Sequence, residues 1–392
     1  MAGRRSNDPR ELASAFSNAS FAGPAPLMTD FATMSSPATI ADPLNREILR
    51  AAHDTLRSFS RDPVATLAAA SGTGEDVVVS RLRSMVRSGA VRRMRQTIRG
   101  ATIAPGALVA WRIPPWRLGD AWRFMADRDP FTAHIILRAA EPGAPHPDWL
   151  LWSTVKVPPP HSLQRHCDFL RKVFDAEAYA AMSPITVFPV AAENGTGSGD
   201  PGEGFEPRLT SLAEEEWRVL LALRREFTAD EIEVDLWRGR AIEARTSHER
   251  FLEIAEDLAR RGIFGRFALD VYDVHDGGSG AITPRTDVMF QWVVAPEQAD
   301  RAGGEVARHH GLEHCSRRTP SPEWPDANLI AVTHGANREA LETLKRSIDA
   351  RLLECGIDVA ATGAYWAARR HARQSEISPR IYARWSRAMG IG

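Results

Sequence analysis

Residues 107–140, ALVAWRIPPWRLGDAWRFMADRDPFTAHIILRAA, switch hydrophobic period twice, and that switch decides the fold. ALVAWRIPP and AHIILRAA read as strands, and WRLGDAWRFMADR between them carries apolar residues at helical spacing. Downstream, LLWSTVKV reads as a third strand, HSLQRHCDFLRKVFDAE as a second helix and ITVFPV as a closing strand. Strand, helix, strand, strand, helix, strand is the order of a ferredoxin-like sandwich.

Working outward, the pattern returns as VMFQWVVAP, LEHCSRRT, NLIAVTHG, NREALETLKRSIDARLLEC and VAATGAYWA. RSGAVRRM from Arg87 lies over RRGIFGRF from Arg260, pairing Gly89 with Gly262 and Arg93 with Arg266. VAWRIPP at 109–115 lies over FQWVVAP at 290–296, and His134 and Arg138 lie over His314 and Arg318. The extra residues of the second copy fall in ALDVYDVHDGGSGAITPRTD, where a longer glycine-rich loop costs little. Three matched blocks in one order mean an internal duplication.

Ahead of each sandwich stand helices. DPLNREILRAAHDTL, VATLAAASG and EDVVVSRLRSMVRSG, followed by basic VRRMRQTIRG, give the order of a winged helix-turn-helix with a two-stranded wing. SLAEEEWRVLLALRREFTADEIEV and SHERFLEIAEDLARRGIFGRF are a looser second version. The expected class is therefore α+β, a tandem winged helix plus ferredoxin-like (βαββαβ) unit forming an internal pseudo-dimer whose two sandwiches pack against each other. The expected boundaries are a mobile arm over 1–40, a winged helix over 41–101 and a sandwich over 102–190. A linker over 191–208, a winged helix over 209–266, a sandwich over 267–368 and a tail over 369–392 complete the chain. The tail, QSEISPRIYARWSRAMGIG, is amphipathic enough to dock as a helix.

With 392 residues, 43% hydrophobic and 25% charged, an ordinary globular protein of two or three domains is expected. A net charge of −1 excludes a globally basic nucleic-acid coat, though not a local basic patch. Cys167, Cys315 and Cys355 are scattered, so neither a disulfide framework nor a cysteine-rich zinc site is expected, and a reducing, cytoplasmic setting fits. No apolar run approaches the roughly 18 residues of a membrane span. MAGRRSNDPRELASAF is too interrupted to read as a signal peptide.

The chemistry concentrates in the repeated His-x-x-x-Arg. Spacing by four keeps both side chains of a pair on one strand face, roughly 13 Å apart at ~3.3 Å per residue. Arginine clamps carboxylates and histidine exchanges protons near neutral pH, a combination suited to a large polyanionic substrate that must be held and protonated. A strand-capping His with a surface-paired Arg is the bland alternative. Other groupings are weaker. His310 and His314 have metal-ligand spacing only on a helix, and a strand is expected there; no metal site is assigned. His161, His166 and Cys167 do not share a helix face, and the glycines of DGGSG and TGSGD open no phosphate loop. Trp111, Trp149, Trp152 and Trp292 read as core.

HCSRRTPSPEWPDANLIAVTHG, from His314 to Gly335, resembles the siroheme decarboxylase family, a branch of the Lrp/AsnC-like winged-helix proteins. It is similar to that family's H-C-Y-R-R, Pro-rich loop, W-P-Y-N-L and closing H-G. HIILR and DWLLW resemble the partner subunit's H-N-Y-L-R and Y-N-L-W, while RRMRQTI and VAWRIPP resemble the basic wing and the strand after it. The resemblance covers roughly 41–190 and 209–368 and implies a fused two-subunit form. It implies removal of carboxyl groups from acetate side chains of siroheme, an iron tetrapyrrole, on the route to heme or d-type heme, with no added cofactor. Carried over, it implies catalytic roles for His314, His334 and His134. Substrate binding falls to Arg318, Arg138, Trp324 and Asn328, with Arg93 and Arg95 from the wing. His314 would be the proton donor. Departures are Ile136 and Ser316 where the family has tyrosine, Asp326-Ala327 in W-P-Y-N-L, and no wing histidine near Arg95, with only His275 in the second copy.

Two other functions stay open. Arg81, Arg83, Arg87, Arg92, Arg93, Arg95 and Arg99 lie where a winged helix meets phosphate, as in a DNA-binding regulator. Against specific DNA, the second copy carries Glu243, Glu249, Glu253, Glu256 and Asp257 in the equivalent region. Tetrapyrrole binding without turnover is the other. The pseudo-dimer implies a chain that works as a monomer, with a homodimer the other assembly compatible with it; no membrane partner is expected.

Overall fold

A computed structural model describes residues 38–99, 103–104, 106–190, 203–271, 286–325 and 328–391. Most of the expected arm and linker, His275 and the Asp326-Ala327 pair lie outside these residues. The first half contains α1 (Pro43–Thr55), α2 (Pro63–Ser71), α3 (Glu75–Ser88) and β1 (Val91–Ile98). It continues with β2 (Ala107–Arg112), α4 (Leu118–Asp127), β3 (Thr132–Ala140), β4 (Leu151–Val155), α5 (Leu163–Phe174), β5 (Ala178–Met182) and β6 (Pro184–Phe188). The second half repeats the order with α6 (Glu214–Arg224), α7 (Trp237–Glu243), α8 (His248–Arg260) and β7 (Phe264–Val271). Then come β8 (Thr286–Val294), α9 (Ala299–Ala307), β9 (Leu312–Arg318), β10 (Leu329–Gly335), α10 (Arg338–Glu354), β11 (Val359–Ala372) and α11 (Pro379–Ala388). Among the described residues no helix is long and apolar enough to cross a membrane.

The chain forms two compact units that each draw on both halves. Leu27–Ile103 and Leu209–Ile282 make one; Ala104–Arg208 and Thr283–Gly392 belong to the other. In the first of these, Asp42 caps α1, its carboxylate accepting from the Leu44 and Asn45 amides. Gly89 and Gly262, matched in the sequence, both turn left-handed (φ +79° and +73°) to release a strand after a helix. Those strands correct the expected two-stranded wing. β1 finds its partner not within its own half but in β7, antiparallel, with Arg93 opposite Asp270 and Met94 opposite Leu269.

The second unit is built on a nine-stranded sheet in the order β5-β2-β4-β3-β11-β8-β10-β9-β6. Each half contributes four strands in the same relative order, β5-β2-β4-β3 and β11-β8-β10-β9. The expectation of two separate sandwiches packed together is wrong. β3 pairs with β11, from Ala140 opposite Tyr365 to His134 opposite Ala372, and β9 pairs with β6. The reason is the edge strand: alone, each half would leave a row of unpaired backbone groups on β3 or β9. Laid flat, nine strands at ~4.8 Å spacing would put the two edges roughly 38 Å apart. Yet β5 and β6 are separated by Ser183 alone, so the sheet curls until its edges meet. The Ser183 amide donates to Thr319 Oγ1 (3.0 Å) and the Thr319 amide donates back to the Ser183 carbonyl (2.8 Å).

Curling gives the sheet an outer and an inner face. Val109, Trp111, Ile135, Leu151, Leu170 and Phe174 pack one outer core, joined by Tyr382 of α11. The tail therefore docks as a helix, although its first residues, to Ala372, continue β11. Phe290, Trp292, Val306, Ala331, Ile348 and Leu352 form the outer core of the second half. The inner face holds residues of both halves, among them Ala110, Ala180, Met182, Met289, Ile330 and Tyr365 with Trp149, Trp152 and Trp324.

Candidate functional site

Strand alternation delivers the repeated motif to the inner face. Ile135 and Cys315 belong to the outer cores, so His134 and Arg138, like His314 and Arg318, turn inward. Each histidine is the third residue of its strand and each arginine the seventh. Both strands also carry a bulge at matching places. The pairing slips between Thr132 and His134 on β3, leaving Ala133 over, and at Val332/Thr333 opposite β9, leaving Glu313 over. A bulge re-aims side chains, and here it brings the Glu313 carboxylate to the inward-facing His334.

His334 on β10 lies directly opposite Asp287 on β8. Its Nε2 is 2.9 Å from Asp287 Oδ2 and its Nδ1 is 2.7 Å from Glu313 Oε1. Asp287 Oδ1 also meets Arg138 Nη1 at 2.8 Å, and that guanidinium donates to the Tyr365 carbonyl at 2.9 Å. Contact with the Asp287 and Glu313 carboxylates raises the His334 pKa to about 9. Asp287 is held down to about 2: burial opposes this, but the contacts with His334 and Arg138 win. His334 is thus a cation at neutral pH.

The motif histidines behave oppositely. His134 and His314 are both open to solvent. Desolvation by the protein around it, with Lys156 and His314 nearby, pushes His134 down to about 4. His314 is likewise lowered by desolvation, against the pull of Glu313. Both imidazoles are neutral at pH 7.

The two arginines differ too. Arg138 is buried against Asp287. Arg318 donates to the Met182 carbonyl (3.0 Å), and among the described residues no carboxylate pairs with it. Desolvation lowers its pKa to about 10, and its Nε, like the Nε of Arg138, has no hydrogen-bond partner there. A cation so placed is ready for an anion from outside the chain.

The chain is 28% identical over 106 residues to the siroheme decarboxylase beta subunit of Methanosarcina barkeri, spanning 27% of this chain and 65% of that subunit. It is 26% identical over 307 residues to the siroheme decarboxylase NirDL subunit of Paracoccus denitrificans, spanning 74% of this chain and 86% of that one. The chain is thus similar to siroheme decarboxylase subunits. Its fold matches the crystal structure of the siroheme decarboxylase NirDL with a TM-score of 0.64, over 88% of this chain and 99% of that one, at 21% identity. The same figures hold for NirDL in co-complex with an iron-uroporphyrin III analogue. No family model matches the chain.

In this siroheme decarboxylase relative, the inner face gathers His134, Arg138, His314, Arg318 and His334. Trp324 is wholly buried beside Trp149, Trp152 and His146, 4.2 Å from the last ring. Asn328 spends its amide on the Val294 backbone, whose N–H it accepts at 3.2 Å. Arg93 and Arg95 belong to the other unit, where Glu226 (3.2 Å) and Asp270 (3.9 Å) face them. Ile136 and Ser316 occupy inner-face positions. His310 sits in the turn before β9, so it shares no helix face with His314. His166 and Cys167 are buried, His166 lying 3.2 Å from both Asp129 Oδ2 and the Tyr382 hydroxyl. The sequence reading missed Asp287 and Glu313. The duplication gives no signal for them, as Gly106 and Ala133 stand in their places.

Proposed function

We propose that this chain is a siroheme decarboxylase, a lyase that releases carboxyl groups as carbon dioxide from acetate side chains of an iron tetrapyrrole. The tetrapyrrole is substrate, and no added cofactor is needed. Each event breaks the bond to one carboxylate carbon, leaves the electron pair on the side-chain carbon, and requires one proton there. The conjugated ring disperses the developing charge. The observation that carries the reading is Arg318, a desolvated guanidinium with no carboxylate partner among the described residues, on the same strand face as His314. Arg318 grips a ring carboxylate as a two-pronged donor. Arg138 orients the ring from the opposite strand, with His134.

The proton assignment shifts. His314 is kept neutral by desolvation, whereas His334 holds a proton at working pH and is the site's proton reservoir. We further read each three-helix segment with its strand as a winged helix and each βαββαβ segment as ferredoxin-like. The chain then works as a cytoplasmic monomer on the route to heme or d-type heme, a fused pair of subunits whose wing arginines serve structure rather than specific DNA. In support of the last point, Arg81 pairs with Asp42 (3.1 Å), Arg87 with Asp230 (2.6 Å), and Arg83 donates to the Ile232 carbonyl (2.8 Å).

Anaerobic incubation of the purified chain with siroheme, followed by mass spectrometry, tests the reading. The expected product has lost carbon dioxide. Tight binding with an unchanged mass would instead support a tetrapyrrole-binding protein without turnover.

A further inference from the structure

Resting on that reading, we propose that Glu313 is the residue that hands the proton to the substrate carbon, that His334 reloads it, and that Asp287 fixes His334 in place. The three form a continuous line across β8, β10 and β9, with N···O separations of 2.9 and 2.7 Å; the Nδ1 separation is short, but it is not aligned as a hydrogen bond, so the Glu313 carboxylate must turn to take the proton. The line opens toward solvent in steps: the Asp287 side chain is 6% exposed, His334 15% and Glu313 42%. Glu313 touches His334 and is exposed, so it can also meet a molecule bound on the inner face. His334 cannot do this itself, since each ring nitrogen already faces a carboxylate.

The duplication supplies a control within the same molecule. The first half keeps the motif histidine, the motif arginine and the bulge. At the three relay positions it has Gly106 for Asp287, Lys156 for His334 and Ala133 for Glu313. A Cβ at Gly106 would lie 3.5 Å from the Lys156 side chain, so the two positions are neighbours there as they are in the second half. The barrel therefore closes with or without an acid–histidine–acid line, and packing alone does not explain its presence on one side.

In the step itself, the bond between the side-chain carbon and its carboxylate breaks and carbon dioxide leaves. The electron pair stays on carbon and takes a proton through the Glu313 carboxylate, which accepts one from the His334 imidazolium at Nδ1 in the same motion. His334 then regains its proton from solvent. One proton is consumed and no oxidant or reductant is required. The charged groups facing His334 are Asp287 from β8 and Glu313 from β9, with the neutral His314 of β9 nearby and Arg138 of β3 behind Asp287. Raised by its two carboxylates, His334 stays protonated through neutral pH.

The test compares the full chain with E313Q, E313D and D287N, using siroheme titration by absorbance and single-turnover carbon dioxide release under anaerobic conditions. E313Q should bind siroheme within about threefold of wild type and lose about 100-fold or more in rate, the usual worth of a general acid. E313D should recover a substantial part of that loss. D287N should move the alkaline limb of the rate profile to lower pH, a shift that a purely structural role would not produce. Wild-type turnover by E313Q, or a loss confined to binding, overturns the relay while leaving the decarboxylase reading intact. An inactive wild-type chain overturns the reading itself.

Discussion

Arg138 and Arg318 hold one place in two halves and meet opposite electrostatic surroundings, so their truncations should separate. Arg138→Ala leaves buried Asp287 with His334 as its remaining cation, which should lower unfolding stability by about 2–3 kcal/mol in urea denaturation. Arg318→Ala removes a cation that no carboxylate balances among the described residues; stability should hold or rise, while siroheme affinity falls by roughly 2–5 kcal/mol in an absorbance titration. Equal loss of stability in both variants would contradict this division. The His334 pair adds a pH signature. A pKa raised to about 9 from 6.5 contributes stability that is complete below pH 6.5 and is lost as pH rises through 9. Asp287, lowered to about 2 from 3.8, contributes above 3.8 and loses its share as pH falls toward 2. Urea midpoints should therefore fall between pH 7 and 10 in wild type and stay flatter in H334Q. The five motif residues were legible because they recur or match a family pattern. Asp287 and Glu313 were not, because one sits where a glycine-rich loop was read to end and the other depends on a bulge, which leaves no trace in residue type.

Which residues face inward follows from alternation, and the helices and strands could be named from their periods. Which strand neighbours which at an edge is a different matter. Backbone pairing carries little side-chain information, so β3 with β11 and β1 with β7 were not readable, and separate sandwiches and separate wings were expected instead. The same limit hid the role of β6. Phe188 at its end is 3% exposed and packs on Gly303 of α9, where a Cβ would collide with its ring. Phe188→Ala should thus cost about 3–5 kcal/mol, because it empties the contact that holds the closing strand. A change below 1 kcal/mol in denaturant unfolding would mean that the backbone ladder alone keeps the ring shut. At the β1–β7 ribbon, arginines already paired with acids should give weak duplex binding that fades steeply with salt. Tight, sequence-selective gel shifts at physiological salt would return the regulator to favour.

At the scale of the molecule, the halves are not the compact units. The chain passes from one unit to the other at Ile103–Ala104, Arg208–Leu209 and Ile282–Thr283, and each unit needs both halves. Proteolysis within 191–202 should consequently yield two fragments that still elute together and part only in denaturant; fragments that separate in plain buffer would refute the shared sheet. That shared sheet also sets a clock for synthesis. Ala140, the end of β3, and Val359, the start of its partner β11, are 219 positions apart. At ~5–20 residues per second a ribosome needs roughly 10–45 s to supply them. Throughout that interval the nascent chain displays an unsatisfied strand edge, open to a neighbour on the same polysome. A message truncated in the 191–202 stretch should therefore fill inclusion bodies, and slowing elongation should harm the yield of this protein more than that of a chain whose strands pair with near neighbours.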